Sequence, residues 1–290
     1  MRSFIHKIKK MSAITLIIVL LPYIITIFLN GKNIKTNDSG QSERVKVKTD
    51  SGEIEIPLDE YCVGVLAKQI SSDYELQMLK AQAVIVRTTI YNDISKAEKN
   101  KVLDHNFLRR KDIDSQQYKQ LEAVWEATEG EVVLYNNELA LVPFHQLSNG
   151  KTRKGSEVLG TEDYPYLQIK ECPKDVEAEE QMKSKLLNIK KAEILAKDSA
   201  GYVTSVKVGE ETCSGESFRD TYELPSSCFE LQEFEGKIRV TTKGVGHGLG
   251  LSQYTANEMA KEGKMYYEIL EYFFEGTEIK EVAEILWNVE

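Results

Sequence analysis

The alternation of apolar and polar residues predicts a β-hairpin followed by a helix near the start of the polar part of the chain. Residues 45–48 and 53–56 each alternate on either side of an Asp-Ser-Gly turn at residues 50–52. The next segment has apolar residues on one helical face, and Asp59 is its expected N-cap. These elements predict a small sheet that leads directly into a packed helix.

A longer helix follows, with apolar residues three or four positions apart up to Ile90. Ser72 and Glu75 match a capping box at its start. Beyond it, strands and helices do not alternate in a regular βαβ rhythm, which favours the α+β class. The other predicted elements are an exposed helical region over residues 91–130, strands within 130–142, 202–208 and 237–241, and helices over 177–197, 252–261 and 266–274.

The first 29 residues predict a membrane anchor. Residues 12–29 are an uncharged and mostly apolar run of 18, about the length that crosses a bilayer core as a helix. Four basic residues and no acidic ones precede the run, which predicts a cytoplasmic N-terminus. We expect a basic cytoplasmic tail (1–11), a single-pass transmembrane anchor (12–29), a flexible polar stalk (30–44) and one extracytoplasmic domain (45–290) at the cell membrane.

Composition and motifs exclude several classes of function. The net charge is −9 and four of the bases lie in the N-terminal tail, so the domain is too acidic to bind nucleic acid. Four Cys in 290 residues are too few for a disulfide framework. The chain has neither HExxH nor C-x2-C spacing, so we expect no metal and no cofactor. It also has no G-x-S-x-G motif of serine hydrolases.

The glycine-rich segment at residues 244–254, GVGHGLGLSQY, is the sharpest local candidate for a binding site. Its glycines do not fit the G-x-G-x-x-G dinucleotide pattern. His247 lies between two glycines and is followed by a predicted helix start at Ser252 and Gln253, whose free N–H groups suit polar ligands. The alternative is a structural turn in which His247 is only a hydrogen-bonded residue.

An ordered set of motifs resembles the stage II sporulation protein D family, which includes amidase enhancers. The resemblance implies a membrane-anchored lytic transglycosylase that cleaves peptidoglycan glycan strands stripped of stem peptides and leaves 1,6-anhydro ends. It also implies an amidase partner during engulfment in an endospore-forming bacterium. The matching segments are residues 56–61, 79–88, 144–145, 148–152, 164–167, 214–219, 224–227, 244–254 and 260–264.

The resemblance places the family's catalytic glutamate at Gln69. A carboxamide cannot shuttle a proton near neutral pH. Three interpretations follow: glycan binding with little or no cleavage, which we favour; cleavage by Glu60 or Glu75 instead; or a scaffold that enhances a partner amidase without contacting sugar. Some relatives have a Cys/His zinc cluster near His145, but no Cys lies between residues 62 and 172 here.

The motif set also implies which residues form the groove. Gln69 stands at the catalytic position, and the eight expected substrate-binding residues are Lys80, Arg87, His145, Ser148, Arg219, His247, Ser252 and Gln253.

Overall fold

Helices packed around one long central helix form the first part of the fold. A computed structural model describes residues 43–96 and 102–281. β1 (Arg44–Thr49) and β2 (Gly52–Pro57) pair as the predicted hairpin and lead into α1 (Leu58–Gln69) and the central α2 (Leu76–Ser95). The apolar face of α2 is buried from Leu79 to Ile90, as its spacing predicts, whereas Leu76 at its start is 53% exposed.

The larger hydrophobic core surrounds α2. Around this helix pack α1, α3 (Ser115–Glu126) and the two C-terminal helices, α6 (Gln253–Lys261) and α7 (Tyr266–Phe273). A small sheet of β3 (Glu131–Tyr135), β4 (Glu138–Leu139) and β13 (Glu278–Glu281) covers one side of this core. Its strand order is β13-β3-β4.

A second, smaller core lies between two three-stranded sheets. One sheet consists of β6 (Met182–Leu187), β10 (Phe229–Phe234) and β11 (Lys237–Lys243), in the order β10-β11-β6. The other consists of β7 (Ala192–Lys197), β8 (Val203–Val208) and β9 (Glu211–Cys213), in the order β7-β8-β9, and the short helix α5 (Gly215–Thr221) packs against it. Phe218 of α5 and Phe229 of β10 stack in this core with ring centroids 5.0 Å apart.

Three short elements connect the two cores. β5 (Phe144–His145) and β12 (Leu251–Ser252) pair as a two-stranded parallel sheet, and α4 (Gly155–Leu159) follows β5. The mixture of helices and largely antiparallel sheets confirms the α+β class. The predicted strands within 130–142, at 202–208 and at 237–241 and the helices at 252–261 and 266–274 are also confirmed, within one or two residues at most of their ends.

The predicted helix over residues 177–197 is wrong. This segment contains the 3-10 turn Glu179–Gln181 and the strands β6 and β7. β6 pairs antiparallel with β11 from Met182 to Leu187, and Leu187 enters the second core. Lys and Glu favour helices only weakly, so pairing with a neighbouring strand overrides their intrinsic preference.

The exposed helix predicted over residues 91–130 is only partly present. α2 ends at Ser95 and α3 covers residues 115–126, whereas 102–114 contain a single 3-10 turn, Arg110–Asp112. Leu103 instead hydrogen-bonds with β1 through its backbone, from its N–H to the Lys46 carbonyl and from the Lys48 N–H to its own carbonyl, each at 2.8 Å. This pairing removes residues near Leu103 from any helix.

Both predicted N-caps differ from the observed helix starts. α1 begins after Pro57, and Asp59 accepts a 2.9 Å hydrogen bond from the Trp125 indole instead of capping the helix. α2 begins after Glu75 with no side-chain cap, and the Glu75 N–H donates to Asn257 Oδ1 at 2.8 Å. In both places a tertiary hydrogen bond replaces the local one.

The described residues from 45 to 281 belong to one compact unit. Within the described ranges, no helix combines the length and apolar character of a membrane span. The predicted anchor at 12–29 and all but the last two residues of the predicted stalk lie outside the described residues.

Arg87 lies inside the larger core and not in a groove. Its side chain is 1% exposed, and its guanidinium stacks on the Trp125 ring at 3.7 Å. It donates to the carbonyls of Trp125 at 2.9 Å and Glu131 at 3.3 Å and to Thr128 Oγ1 at 3.2 Å. With so little exposed surface, Arg87 holds the end of α3 and the start of β3 against α2, and it leaves no surface for a ligand.

We expect Arg87→Met to lower the free energy of unfolding by about 2–4 kcal/mol, because two buried carbonyls and a hydroxyl lose their donor. Urea unfolding of the purified protein measures this loss. Lys119→Met on the exposed face of α3 is the matched control and should change stability by less than about 0.5 kcal/mol. Equal effects of the two substitutions would contradict a structural role for Arg87.

Candidate functional site

The pairing of β5 with β12 brings the two histidine motifs together. His145 and Ser252 are direct partners in this parallel pair. The glycine-rich loop that precedes β12 places His247 next to His145. The ring centroids of His145 and His247 are 5.9 Å apart. The two histidines are 102 residues apart in the sequence, so only the fold makes them one site.

Close contacts with the segment that contains β5 explain why the loop around His247 is rich in glycine. Gly246 has a φ of +108°, and a Cβ atom there would lie 2.7 Å from the Cβ of His145. Gly250 has a φ of +73°, and a Cβ atom would collide with the Pro143 carbonyl. Larger residues at either position would push the loop away from β5 and separate the histidines.

His145 is a buried, neutral imidazole with one unused nitrogen. Its Nδ1 lies 3.2 Å from the Leu249 carbonyl, which can only accept, so Nδ1 carries the proton. Its Nε2 is buried and has no hydrogen-bond partner. Burial, and secondarily the neighbouring His247, lowers the pKa of His145 to about 3. The ring therefore offers one acceptor lone pair at neutral pH.

His247 is half-buried and is oriented by its own loop. Its Nδ1 accepts a 3.1 Å hydrogen bond from the Leu249 N–H. Burial is the strongest influence on the pKa of His247 and lowers it. The negative charge of Glu216 raises this pKa, and the positive charges of Arg219 and Arg153 lower it. The net effect is a pKa below the ordinary histidine value, so His247 is also mainly neutral at pH 7.

An ion-pair cluster lies beside His247. Arg153 is 3% exposed and pairs with Asp198 at 2.6 Å and Glu216 at 2.7 Å, and it donates to the His247 carbonyl at 3.1 Å. Arg219 contacts the second oxygen of Glu216 at 3.2 Å, and its Nε is buried without a partner. Arg153 thus ties the histidine loop to α5 of the second core.

The carboxyl group of Glu216 is held in its ionised form. Burial raises its pKa, but hydrogen bonds from Ser227 and Arg153 and the charge of Arg153 outweigh this effect, so the net pKa is below the ordinary value. Ser227 Oγ donates to Glu216 Oε1 at 2.7 Å. An ionised, fully hydrogen-bonded carboxylate is a positioning group and a poor proton donor.

A buried carboxylate, Asp175, organises the back of the site. It accepts hydrogen bonds from the Ser148 N–H at 2.7 Å, Ser252 Oγ at 2.7 Å and Thr255 Oγ1 at 2.6 Å. Ser148 and Ser252 have no exposed surface. Both serines therefore support the site from inside and do not reach a ligand.

Three glutamines form a hydrogen-bonded network around the end of α1. Gln82 Nε2 donates to Gln69 Oε1 at 3.0 Å. Gln253 Nε2 donates to the Gln69 carbonyl at 3.0 Å and to Gln82 Oε1 at 3.2 Å. Gln82 and Gln253 are buried, while Gln69 is half-buried. Because Gln253 directly follows Ser252, this network adjoins the histidine site.

The structure thus assembles most, but not all, of the predicted site. It brings His145, His247, Ser148, Ser252 and Arg219 around one loop, with Gln69 and Gln253 adjoining. The Lys80 Nζ atom lies 5.7 Å from the centroid of the Tyr266 ring. Lys80 is two residues before Gln82, and residues two apart on a helix lie on different faces, so Lys80 is on another side of α2. Arg87 is in the core, as described above.

Five residues of the site were not predicted from the sequence: Gln82, Arg153, Asp175, Asp198 and Glu216. Gln82 and Glu216 are inside the quoted motifs, and Arg153 directly follows one, so motif membership could have found these three. Asp198 and Asp175 have no local signal, because their partners come from distant segments. In the described part of the chain, no group of three His, Cys, Asp or Glu side chains is arranged to hold a metal ion, and all four cysteines are free.

Comparisons with known proteins identify the class of protein. Residues 51–135, from the hairpin through β3, match a family model described as stage II sporulation protein. Stage II sporulation protein D of Bacillus subtilis is 30% identical over 263 residues, covering 80% of this chain and 76% of that protein. The Bacillus amyloliquefaciens protein of the same name is 28% identical over the same shares.

The chain belongs to the stage II sporulation protein D family. The similarity to the Bacillus subtilis protein covers 80% of the chain and so extends far beyond residues 51–135 of the family model. This confirms the resemblance that the motifs predict and supports a sporulation-related function at the level of the family.

We expect His145 to make folding stability fall as the pH is lowered from about 6.5 towards 3. The unfolded chain binds a proton on His145 in this window and the folded chain does not, so acid favours unfolding. The expected loss is about 2 kcal/mol between neutral pH and pH 5. Urea unfolding at a series of pH values measures it.

His145→Asn removes the titrating group while retaining a polar side chain of similar reach. The carboxyl groups titrate alike in both proteins, so the difference between the two pH profiles isolates His145. Identical profiles for the two proteins would show that the folded chain protonates His145 as readily as the unfolded one does.

Proposed function

We propose that the protein acts in peptidoglycan remodelling during sporulation by binding glycan strands that lack stem peptides, with little or no cleavage. The observation that carries this proposal is the amide side chain at position 69. It stands where the family resemblance places the catalytic glutamate, and its amide oxygen is hydrogen-bonded to Gln82 within a network of glutamines. The position thus has the polarity of a sugar-binding group and lacks an exchangeable carboxyl proton.

The chemistry of the site suits a neutral saccharide. Amides and neutral imidazoles both donate and accept hydrogen bonds, which matches the hydroxyl and N-acetyl groups of a glycan. His247 and Arg219 are both partly exposed, so their side chains can reach a bound ligand. The acidic chain, at −9, also favours an uncharged strand over the intact, anionic wall.

The carboxyl groups give no support to cleavage by a substitute acid. Among the described residues, each carboxyl group with a shifted pKa has it lowered, including Glu216 beside His247. Glu60 lies in a separate groove with β2 and residues 107–111. Glu75 is exposed just before α2. A general acid needs a raised pKa to stay protonated near neutral pH.

The remaining parts of the proposal concern location and partners. The apolar run at 12–29 anchors the protein in the cell membrane as a single pass, with the folded domain outside. An amidase partner of the engulfment machinery first removes the stem peptides and so supplies the denuded strands that this domain binds. Both parts rest on the sequence and the family resemblance.

We expect wild-type protein to bind denuded glycan strands without cutting them and Gln69→Glu to cut them. The introduced carboxyl can accept the Gln82 hydrogen bond that Gln69 accepts now, and it restores the acid and base that the family reaction uses. Mass spectrometry detects 1,6-anhydro ends after incubation with residues 45–290, and calorimetry measures binding. His247→Ala should weaken binding at least tenfold.

Gln82→Glu is the matched control, since it introduces the same group into the same network one helix away and should produce no anhydro ends. Cleavage by the wild type would place the catalytic group elsewhere. Absence of binding in both the wild type and Gln69→Glu would leave the scaffold role for a partner amidase.

We expect the full chain to sediment with membranes in high salt, because burial of an apolar helix does not depend on charge. Removing residues 1–29 should release the protein into the soluble fraction. Removing residues 32–41, within the polar stalk, is the control and should leave it in the membrane fraction. Retention of the protein that lacks residues 1–29 would contradict the anchor.

A further inference from the structure

The hydrogen bonds at the end of α1 fix the direction of three side-chain amides, beginning with that of Gln253. The main-chain carbonyl of Gln69 belongs to the last turn of α1, where carbonyls have no donor within the helix. Gln253 Nε2 donates to this carbonyl at 3.0 Å. Because a carbonyl oxygen can only accept, the atom of Gln253 that faces it must be the nitrogen. The direction of the Gln253 amide is therefore set by a backbone group.

Gln253 in turn sets the direction of the Gln82 amide. The second proton of Gln253 Nε2 reaches Gln82 Oε1 at 3.2 Å. If the Gln82 amide were reversed, two NH2 groups would face each other with no acceptor between them. Gln82 has no exposed surface, and a buried polar group without a partner is costly. Gln82 therefore keeps its oxygen towards Gln253 and its nitrogen towards Gln69.

This order leaves the donor end of the Gln69 side chain unused. Gln82 Nε2 donates to Gln69 Oε1 at 3.0 Å, so the oxygen of the Gln69 amide faces inwards. Gln69 Nε2 donates to none of the described residues. Gln69 is half-buried, whereas Gln82 and Gln253 are buried. The NH2 group of Gln69 is thus the accessible end of the three linked amides.

The backbone that carries Gln253 is itself held in place. Gln253 is the first residue of α6, and its neighbour Ser252 is the N-cap of this helix. Ser252 Oγ donates to the buried Asp175 carboxylate at 2.7 Å. The side chain of Gln253 therefore starts from a fixed position, and the protein sets the direction of all three amides before any ligand binds.

We propose that Gln82 and Gln253 are positioning residues that make Gln69 a hydrogen-bond donor, whose Nε2 binds an acceptor oxygen of the glycan. This inference rests on the proposed function and adds the polarity of one contact. Ether, carbonyl and hydroxyl oxygens of a saccharide can all accept from an NH2 group, whereas an ammonium group cannot. A glutamine free to rotate would bind either kind of group. The fixed amide of Gln69 selects the acceptors.

The first test needs no ligand. NMR of the full chain in detergent, with 15N-labelled glutamine, measures the exchange of the Gln69 side-chain NH2 protons with water, and resonances lost in Gln69→Met identify them. We expect fast exchange in the wild type, because both protons face solvent. Gln82→Glu replaces the inner donor with a carboxylate, so the Gln69 amide should turn round. One of its protons should then exchange at least about tenfold more slowly, because it is hydrogen-bonded to a charge.

Gln77→Glu is the matched control for this test. It introduces the same charge on α2, five residues before Gln82, and the new carboxylate can still accept the hydrogen bond that Gln77 Oε1 accepts from the Tyr266 N–H at 3.1 Å. Exchange of the Gln69 protons should remain as in the wild type. Slow exchange in the wild type, or equal exchange in the wild type and Gln82→Glu, would overturn the proposal.

The second test measures the affinity for denuded glycan strands by calorimetry. Gln82→Met removes the inner donor without adding a charge, so Gln69 can take either direction and affinity should fall roughly threefold. Gln82→Glu should lower affinity at least about tenfold, because it turns the Gln69 oxygen towards the acceptor. Gln77→Glu should leave affinity unchanged. In a Gln69→Met background both substitutions at Gln82 should have little effect, because Gln82 acts through Gln69.

The two proposals fail in different ways. Absence of strand binding by the wild type would overturn the proposed function and, with it, the glycan contact of Gln69. Strand binding that Gln69→Met leaves unchanged would overturn the contact alone. Equal losses from Gln82→Glu with and without the Gln69 amide would contradict a positioning role for Gln82 and leave it a purely structural one.

Discussion

The buried carboxylate of Asp175 is the interaction on which the geometry of the candidate site depends. Taking a carboxylate out of water is costly unless hydrogen bonds replace its hydration. Asp175 obtains them from the Ser148 N–H, the Ser252 hydroxyl and the Thr255 hydroxyl. These donors belong to the segment after β5 and to the start of α6. Moving either segment would leave the buried carboxylate with fewer hydrogen bonds, so the segment after β5 and the start of α6 are held in register.

The ion pairs of Arg153 extend this constraint to the second core. Arg153 joins the segment after β5 to Asp198 before β8 and to Glu216 on α5, and it also holds the His247 carbonyl. A buried arginine in this position fixes geometry more than it adds stability, because its desolvation offsets much of the Coulombic gain. The histidine loop is therefore positioned by both cores.

The same interactions make the site hydrogen-bonding and mainly neutral rather than acidic. Burial keeps both histidines neutral, the Glu216 carboxylate is neutralised by arginines, and the end of α1 presents an amide. Such a surface can recognise the polar groups of a ligand by hydrogen bonding.

Local patterns were sufficient for the elements whose apolar residues face a single core. The spacing along α2, the Asn-Asn turn between β3 and β4, and the Ser252 N-cap of α6 were all predictable, because neighbours in the sequence fix them. The glycines around His247 likewise indicated a constrained loop. The candidate residues on this loop and at the end of α1 could therefore be named from motifs.

Only the tertiary structure decided the features that depend on distant partners. Residues 177–197 have the composition of a helix, but pairing with β11 makes part of them a strand. Arg87 looks like a surface cation until Trp125 and the carbonyls at the end of α3 enclose it. Asp175 binds donors 27 to 80 residues away. The sequence determined where chemistry-bearing residues stand along the chain. The fold decided which of them meet, because burial and hydrogen bonding depend on neighbours that local sequence does not specify.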